Sequence, residues 1–93
     1  AFVWSKTEPE TRIRCLERMA SLLEKNKNEM MALLVYEGGK NLNDALAEVR
    51  EAIDFCWYYS ARARLDFHPQ PLVGPTGEYN QLQLYGRGVI ACI

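Results

Sequence analysis

Residues 43–67 read NDALAEVREAIDFCWYYSARARLDF, and the reading of this stretch decides the fold. Ala45, Val49, Ala52, Ile53, Cys56, Tyr59 and Ala63 recur at helical spacing and trace one stripe. Glu48, Arg50, Glu51, Asp54, Arg62 and Arg64 lie largely off it. With Asn43 or Asp44 at its start, a helix of about 22 residues makes a rod of roughly 33 Å. Phe55, Trp57, Tyr58 and Tyr59 spread beyond the stripe, and a helix apolar on two sides touches more than one neighbour. One neighbour is expected to be the helical pair upstream, and the other a sheet that these residues only begin.

Working back along the chain, TEPETRIRCLERMASLLEK predicts an amphipathic helix. Thr7 with Glu10 three residues on makes a capping box, and Pro9 falls in the first turn, where a missing N–H costs nothing. Ile13, Leu16, Ala20 and Leu23 form the apolar side, against Arg12, Arg14, Glu17, Arg18, Glu24 and Lys25. Trp4, just ahead of the cap, is placed to pack on the start of this helix. NKNEMMALLVYEGGKN predicts a shorter helix capped by Asn28, with Met30, Leu33 and Leu34 apolar. Gly38 and Gly39 end it, since the residue after a helix often needs a left-handed backbone. So short a connection predicts an antiparallel helical hairpin.

Working forward, HPQPLVGPTGE holds three prolines and two glycines in 11 residues, which predicts an extended connector with a turn at 74–77. YNQLQLY then alternates, with Leu82 and Leu84 on one side and Tyr79, Gln81, Gln83 and Tyr85 on the other, as in a half-buried strand. Gly86 and Gly88 break it, and Val89–Ile93 is apolar throughout, the pattern of a strand covered on both faces. The expected order is a three-helix segment over 1–67, a Pro/Gly connector over 68–78 and two strands over 79–93 that begin larger sheets. The fold class is mostly α with a short C-terminal β part. The companions that Val89–Ile93 needs are expected beyond the end of the chain, so the sequence reads as a piece of something larger.

Ninety-three residues make one domain at most. A hydrophobic content of 48% suits a globular fold. Eleven basic against twelve acidic residues, a net charge of −1, leave no excess to recruit a phosphate backbone or an anionic lipid. Neither nucleic acid nor a membrane is therefore expected as a partner of this segment. No apolar stretch approaches the roughly 20 residues of a membrane span. AFVW is followed at once by a polar helix start, unlike a signal peptide. Cys15, Cys56 and Cys92 are odd in number and far apart, which suits reduced, buried thiols in a cytoplasmic protein rather than a disulfide framework or a zinc site.

No assembled chemistry is legible. His68, the only histidine, stands in the connector with no cysteine or carboxylate at ligand spacing and reads as solvent-facing or locally hydrogen-bonded. Gly86-Arg87-Gly88 precedes a strand rather than linking strand to helix, so it does not read as a dinucleotide loop. Glu48, Glu51 and Asp54 read as a solvated, salt-bridged face. Trp57, Tyr58 and Tyr59 offer surfaces on which a ring can stack, but packing is the commoner use of such a helix. The expected catalytic, cofactor-binding and metal residues are none.

The order of elements, with EGGK closing the second helix, NDALAEVREAIDFCWYYSARA as the third, then GPTGEYNQL and YGRGVIACI, resembles the N-terminal segment of the aldehyde dehydrogenase superfamily. Within it the likeness is to the L-glutamate γ-semialdehyde (1-pyrroline-5-carboxylate) dehydrogenases, in the form fused to a proline dehydrogenase. Gly38 stands where alanine is common in the family. The resemblance implies an α/β parent that oxidises the semialdehyde to glutamate with NAD, through a cysteine thiolate and a carboxylate-activated water. It also implies an upstream FAD-dependent module that supplies the substrate, and a homo-oligomeric assembly. The family's catalytic cysteine, glutamate and asparagine fall downstream of the matched residues, so the segment would be scaffold packed on the rest of the dehydrogenase. Two alternatives stand beside this reading: a stand-alone semialdehyde dehydrogenase, and a free-standing helical interaction module.

Overall fold

The computed structural model describes residues 2–91. In chain order it holds α1 (Phe2–Ser5), α2 (Pro9–Lys25), α3 (Lys27–Gly38), α4 (Leu42–Asp66), β1 (Gln70–Leu72) and β2 (Asn80–Leu82). The class is the expected one: mostly helical, with two short strands.

The long helix starts earlier than the sequence suggested. Asn41 is its cap, its side-chain oxygen accepting from the Asp44 N–H at 2.9 Å, so α4 runs for 25 residues. Phe67 closes it, donating its N–H to Ala63, and Pro69 disfavours any further turn. Ala45, Val49, Ile53 and Ser60 are buried, and Cys56 and Ala63 are half-buried. Ala52 and Tyr59, expected on this stripe, are exposed, and Ser60 takes the place beside them. A serine is tolerated there because its hydroxyl donates to the Cys56 carbonyl at 2.7 Å, which leaves no unpaired polar group.

α2 packs along α4 and forms the main helix–helix contact. Pro9 occupies the start of α2 as expected, but the capping box does not form. Thr7 donates its hydroxyl to the Val3 carbonyl instead, and the Glu10 carboxylate is taken by a side chain of α4. Ile13 and Ala20 are buried, Leu23 is half-buried and Leu16 is exposed.

α2 and α3 are separated by Asn26 alone, whose side-chain amide donates to the Leu22 carbonyl at 2.8 Å. Asn26, not Asn28, stands at the start of α3. One residue cannot reverse the chain, and antiparallel helical hairpins use loops of about two to five. The expected hairpin is therefore absent. α2 and α3 touch each other little, and each leans on α4. α3 has no buried residue, but Met30, Met31 and Leu34 pack with Leu23 and Cys56 around the buried cluster of Ala20, Val49 and Ile53. Gly39 ends it at φ 65°, the left-handed conformation expected there, and the N–H groups of Gly39 and Lys40 return to the Val35 and Leu34 carbonyls.

Beyond α4 the connector is not irregular throughout. Its residues 70–72 form β1, antiparallel to β2 with Gln70 opposite Leu82 and Leu72 opposite Asn80. Pro71 fits because a two-stranded ribbon is all edge. The turn between the strands closes through the Glu78 N–H to the Pro75 carbonyl, with Gly77 at φ 93°. Gly74 lies close to Asn80: a Cβ there would press on the end of the Asn80 side chain, which would have to swing aside. The strand expected over 79–85 shortens to 80–82. The strand expected over Val89–Ile93 is not formed at 89–91, and Cys92 and Ile93 lie outside the described residues. The reason is the one given for expecting missing companions: no described strand offers its N–H and C=O groups to this run. Val89 and Ile90 are 75% and 77% exposed.

Neither strand touches a helix, so the ribbon stands off the helical body. The radius of gyration is 18.4 Å and the extents are 63 × 27 × 22 Å. A compact chain of this length would have a radius of about 12 Å. The elongation comes from α4 and from the ribbon at its end.

Ile13→Ala is expected to lower the unfolding free energy of this chain by roughly 2–5 kcal/mol, while the exposed Val3→Ala stays within about 0.5 kcal/mol. Gly39→Ala, which forces a Cβ into the left-handed region, is expected to cost roughly 1–2 kcal/mol. Urea titrations followed by helical circular dichroism check all three, and equal midpoints for Ile13→Ala and Val3→Ala would contradict the packing described.

Candidate functional site

The densest set of directed side-chain contacts lies where the first half of α2 crosses the last turns of α4. Glu10 and Glu17 are seven residues apart, two helical turns, and so share a face of α2. Arg64 on α4 reaches both. Its Nη2 and Nε donate to the two oxygens of Glu10 at 3.0 and 3.3 Å, and its Nη1 donates to Glu17 Oε1 at 2.7 Å. Arg14 adds a looser ion pair to Glu10 at 3.7 Å. The planar guanidinium suits this double grip, since two N–H groups match one carboxylate and a third remains for the next.

The electrostatics follow from that geometry. Hydrogen bonding from Arg64 is the main cause that holds the Glu10 carboxyl below its ordinary value of 4.5, with the positive charges of Arg64 and Arg14 adding to it. The same bonds, to Glu17 first and then Glu10, push the Arg64 guanidinium up. A second pair, Lys40 with Glu48, ties the loop after α3 to the first turns of α4, and Glu48 raises the Lys40 ammonium.

Beside the Arg64 clamp lies an apolar groove of about 300 Å³, lined by Trp4, Ile13, Leu16, Ala63 and Phe67. Trp4 thus shares this groove with the start of α2 while staying exposed. Arg12 forms its polar edge: the guanidinium lies over the Phe67 ring, 5.0 Å from the centroid, and Nε is buried with no acceptor among the described residues. On its other side Arg12 borders the tail, where a Cβ on Gly86 would sit 3.5 Å from Nη1.

The residues weighed from the sequence fall apart in space. His68 is exposed on the rim of a cavity with Glu8, Glu10 and Arg64, and Cys15 lines a different one. No cysteine–histidine pair therefore stands among the described residues. Cys15 and Cys56 are free thiols as expected, but Cys15 is exposed rather than buried: it lies about 200° round the helix from the buried Ile13. Cys56 is half-buried, and Cys92 lies outside the described residues. Glu48 pairs with Lys40, while Glu51 and Asp54 are exposed on the same helix. Among the described residues no group of three or more His, Cys, Asp or Glu is disposed to hold a metal. Tyr59 packs on both Phe55, stacked at 6.0 Å, and Tyr58, edge-on at 5.3 Å, and all three rings remain about half exposed. The three rings belong to one helix, so the arrangement presents aromatic surface on α4 and offers no nucleophile beside a base. Sequence reasoning missed the Arg64 clamp and the Arg12–Phe67 stack. The one signal for the clamp was the seven-residue spacing of Glu10 and Glu17.

The aldehyde dehydrogenase family matches residues 1–93. Over 65 residues, 70% of this chain, the sequence is 46% identical to the bifunctional protein PutA of Klebsiella aerogenes. Over 91 residues, 97% of this chain, it is 41% identical to a 1-pyrroline-5-carboxylate dehydrogenase of Bacillus pumilus. A crystal structure of a mutant of Bradyrhizobium japonicum Proline Utilization A (PutA) superposes on 90% of the chain with a TM-score of 0.84 at 49% identity. The chain spans only a small part of each: 5% of the Klebsiella protein, 18% of the Bacillus enzyme and 9% of the Bradyrhizobium chain.

A carboxylate held below 4.5 stabilises the fold above that pH and loses its contribution as pH falls through the lowered value. Arg64→Ala is expected to raise the Glu10 titration midpoint towards 4.5, and Arg14→Ala to raise it less, as read by carboxyl NMR across the acid range. Equal midpoints in both variants would show that Arg64 is not the dominant cause.

Proposed function

The chain belongs to the aldehyde dehydrogenase family, and we propose that it is a scaffold segment of an NAD-dependent L-glutamate γ-semialdehyde dehydrogenase. The whole protein then oxidises the semialdehyde to glutamate in proline catabolism. The observation that carries this reading is the 49% identity and 0.84 TM-score to a PutA chain over 90% of the residues. Identity to PutA of Klebsiella, at 46%, is also higher than the 37% to 41% seen with 1-pyrroline-5-carboxylate dehydrogenases of Bacillus mycoides and Bacillus pumilus, although over a shorter stretch. That difference favours the bifunctional form, with an FAD-dependent proline dehydrogenase module elsewhere in the same polypeptide.

Neither glycine pair among the described residues forms a pyrophosphate loop. A dinucleotide's pyrophosphate is met by the N–H groups of a glycine loop that opens a helix. Gly38 and Gly39 instead close α3, at the end where carbonyls face outwards, and Gly86 and Gly88 lie in a non-helical tail with no described helix after them. On this reading NAD and FAD bind other parts of the longer protein, which also hold its catalytic residues.

What this segment contributes is shape: a helical body clamped by Arg64, aromatic and apolar faces for the rest of the dehydrogenase, and a ribbon that reaches away from both. Its partners are the remainder of its own module and, through the assembled enzyme, further copies. No described helix is long and apolar enough to cross a membrane, which is compatible with a cytoplasmic enzyme.

Assays of NADH formation test the reading directly. The protein encoded by the whole gene is expected to reduce NAD with the semialdehyde as substrate, and to do so from proline when FAD is bound and an added electron acceptor, such as a quinone, reoxidises the reduced flavin. The 93-residue chain alone is expected to give no NADH above background. Turnover by the chain alone would overturn the scaffold assignment, and a whole protein inert towards the semialdehyde would overturn the substrate.

A further inference from the structure

We draw no further inference here: the strongest candidate, the apolar groove between the start of α2 and the end of α4 with Arg12 on its edge and Cys15 beside it, is an unpartnered face, and nothing in the structure shows what covers it.

Discussion

Everything in this chain is hung on the line along which α2 meets α4. The residues buried there are mostly small or branched: Ala20 with Val49 and Ile53, then Ile13, and Ser60 further along. Small side chains allow two backbones to approach, and the larger ones fill the hollows that remain. The buried set is short, so the pairing is narrow, and much of both helices remains in water. α3 attaches to that line secondarily, through Met30, Met31 and Leu34, and it buries nothing completely. A body with so thin a core tolerates few polar mistakes, and its one buried polar residue among those described, Ser60, bonds to its own helix.

Charge supplies the register that so narrow a core leaves weakly specified. Exposed ion pairs add little stability one at a time, because water screens them and long side chains must be ordered. The geometry of Arg64 is informative for another reason. It joins positions 10, 17 and 64, so it is satisfied only when α2 lies at one height along α4. The clamp also explains a local departure from helix-capping rules. Glu10 had two possible uses, reaching back to its own helix start or across to α4, and the cationic fork won. α2 therefore begins on Pro9 without a side-chain cap.

How much of this was legible in the sequence depended on distance along the chain. Helix existence was readable because apolar residues such as Ile13 and Ala20, or Val49 and Ile53, repeat within a few turns. The end of α3 was readable because glycine has a local reason to be there. The boundaries were less so: asparagine recurs at 26, 28, 41 and 43, and which one caps is decided by the neighbours. The arrangement of the helices was misread at Asn26, where a pair that looked like a hairpin proved to be two helices sharing a third. The strands were the least legible. The prolines pointed to an extended connector, and Pro71 proves to lie within β1, since a ribbon with two open edges has no interior for proline to disrupt. Val89 to Ala91 have strand composition without a described partner, and composition alone does not make a ladder. The Arg64 clamp links residues 47 and 54 positions apart, which periodicity cannot see. Family likeness reached what local patterns could not, since the order of elements holds information that no single motif holds.

The single residue between α2 and α3 makes that junction a keyed joint. Each residue added to or removed from a helix rotates the downstream segment by about 100°. Met30 and Leu34 meet α4 only at the present phase, so at Asn26 chain length itself becomes a structural parameter. β1 and β2 pair with each other and not with the helices, so a change of length in the turn that joins them is expected to leave the helical body as it is. Drift in length over evolutionary time would therefore gather at the tip of the ribbon and leave position 26 untouched.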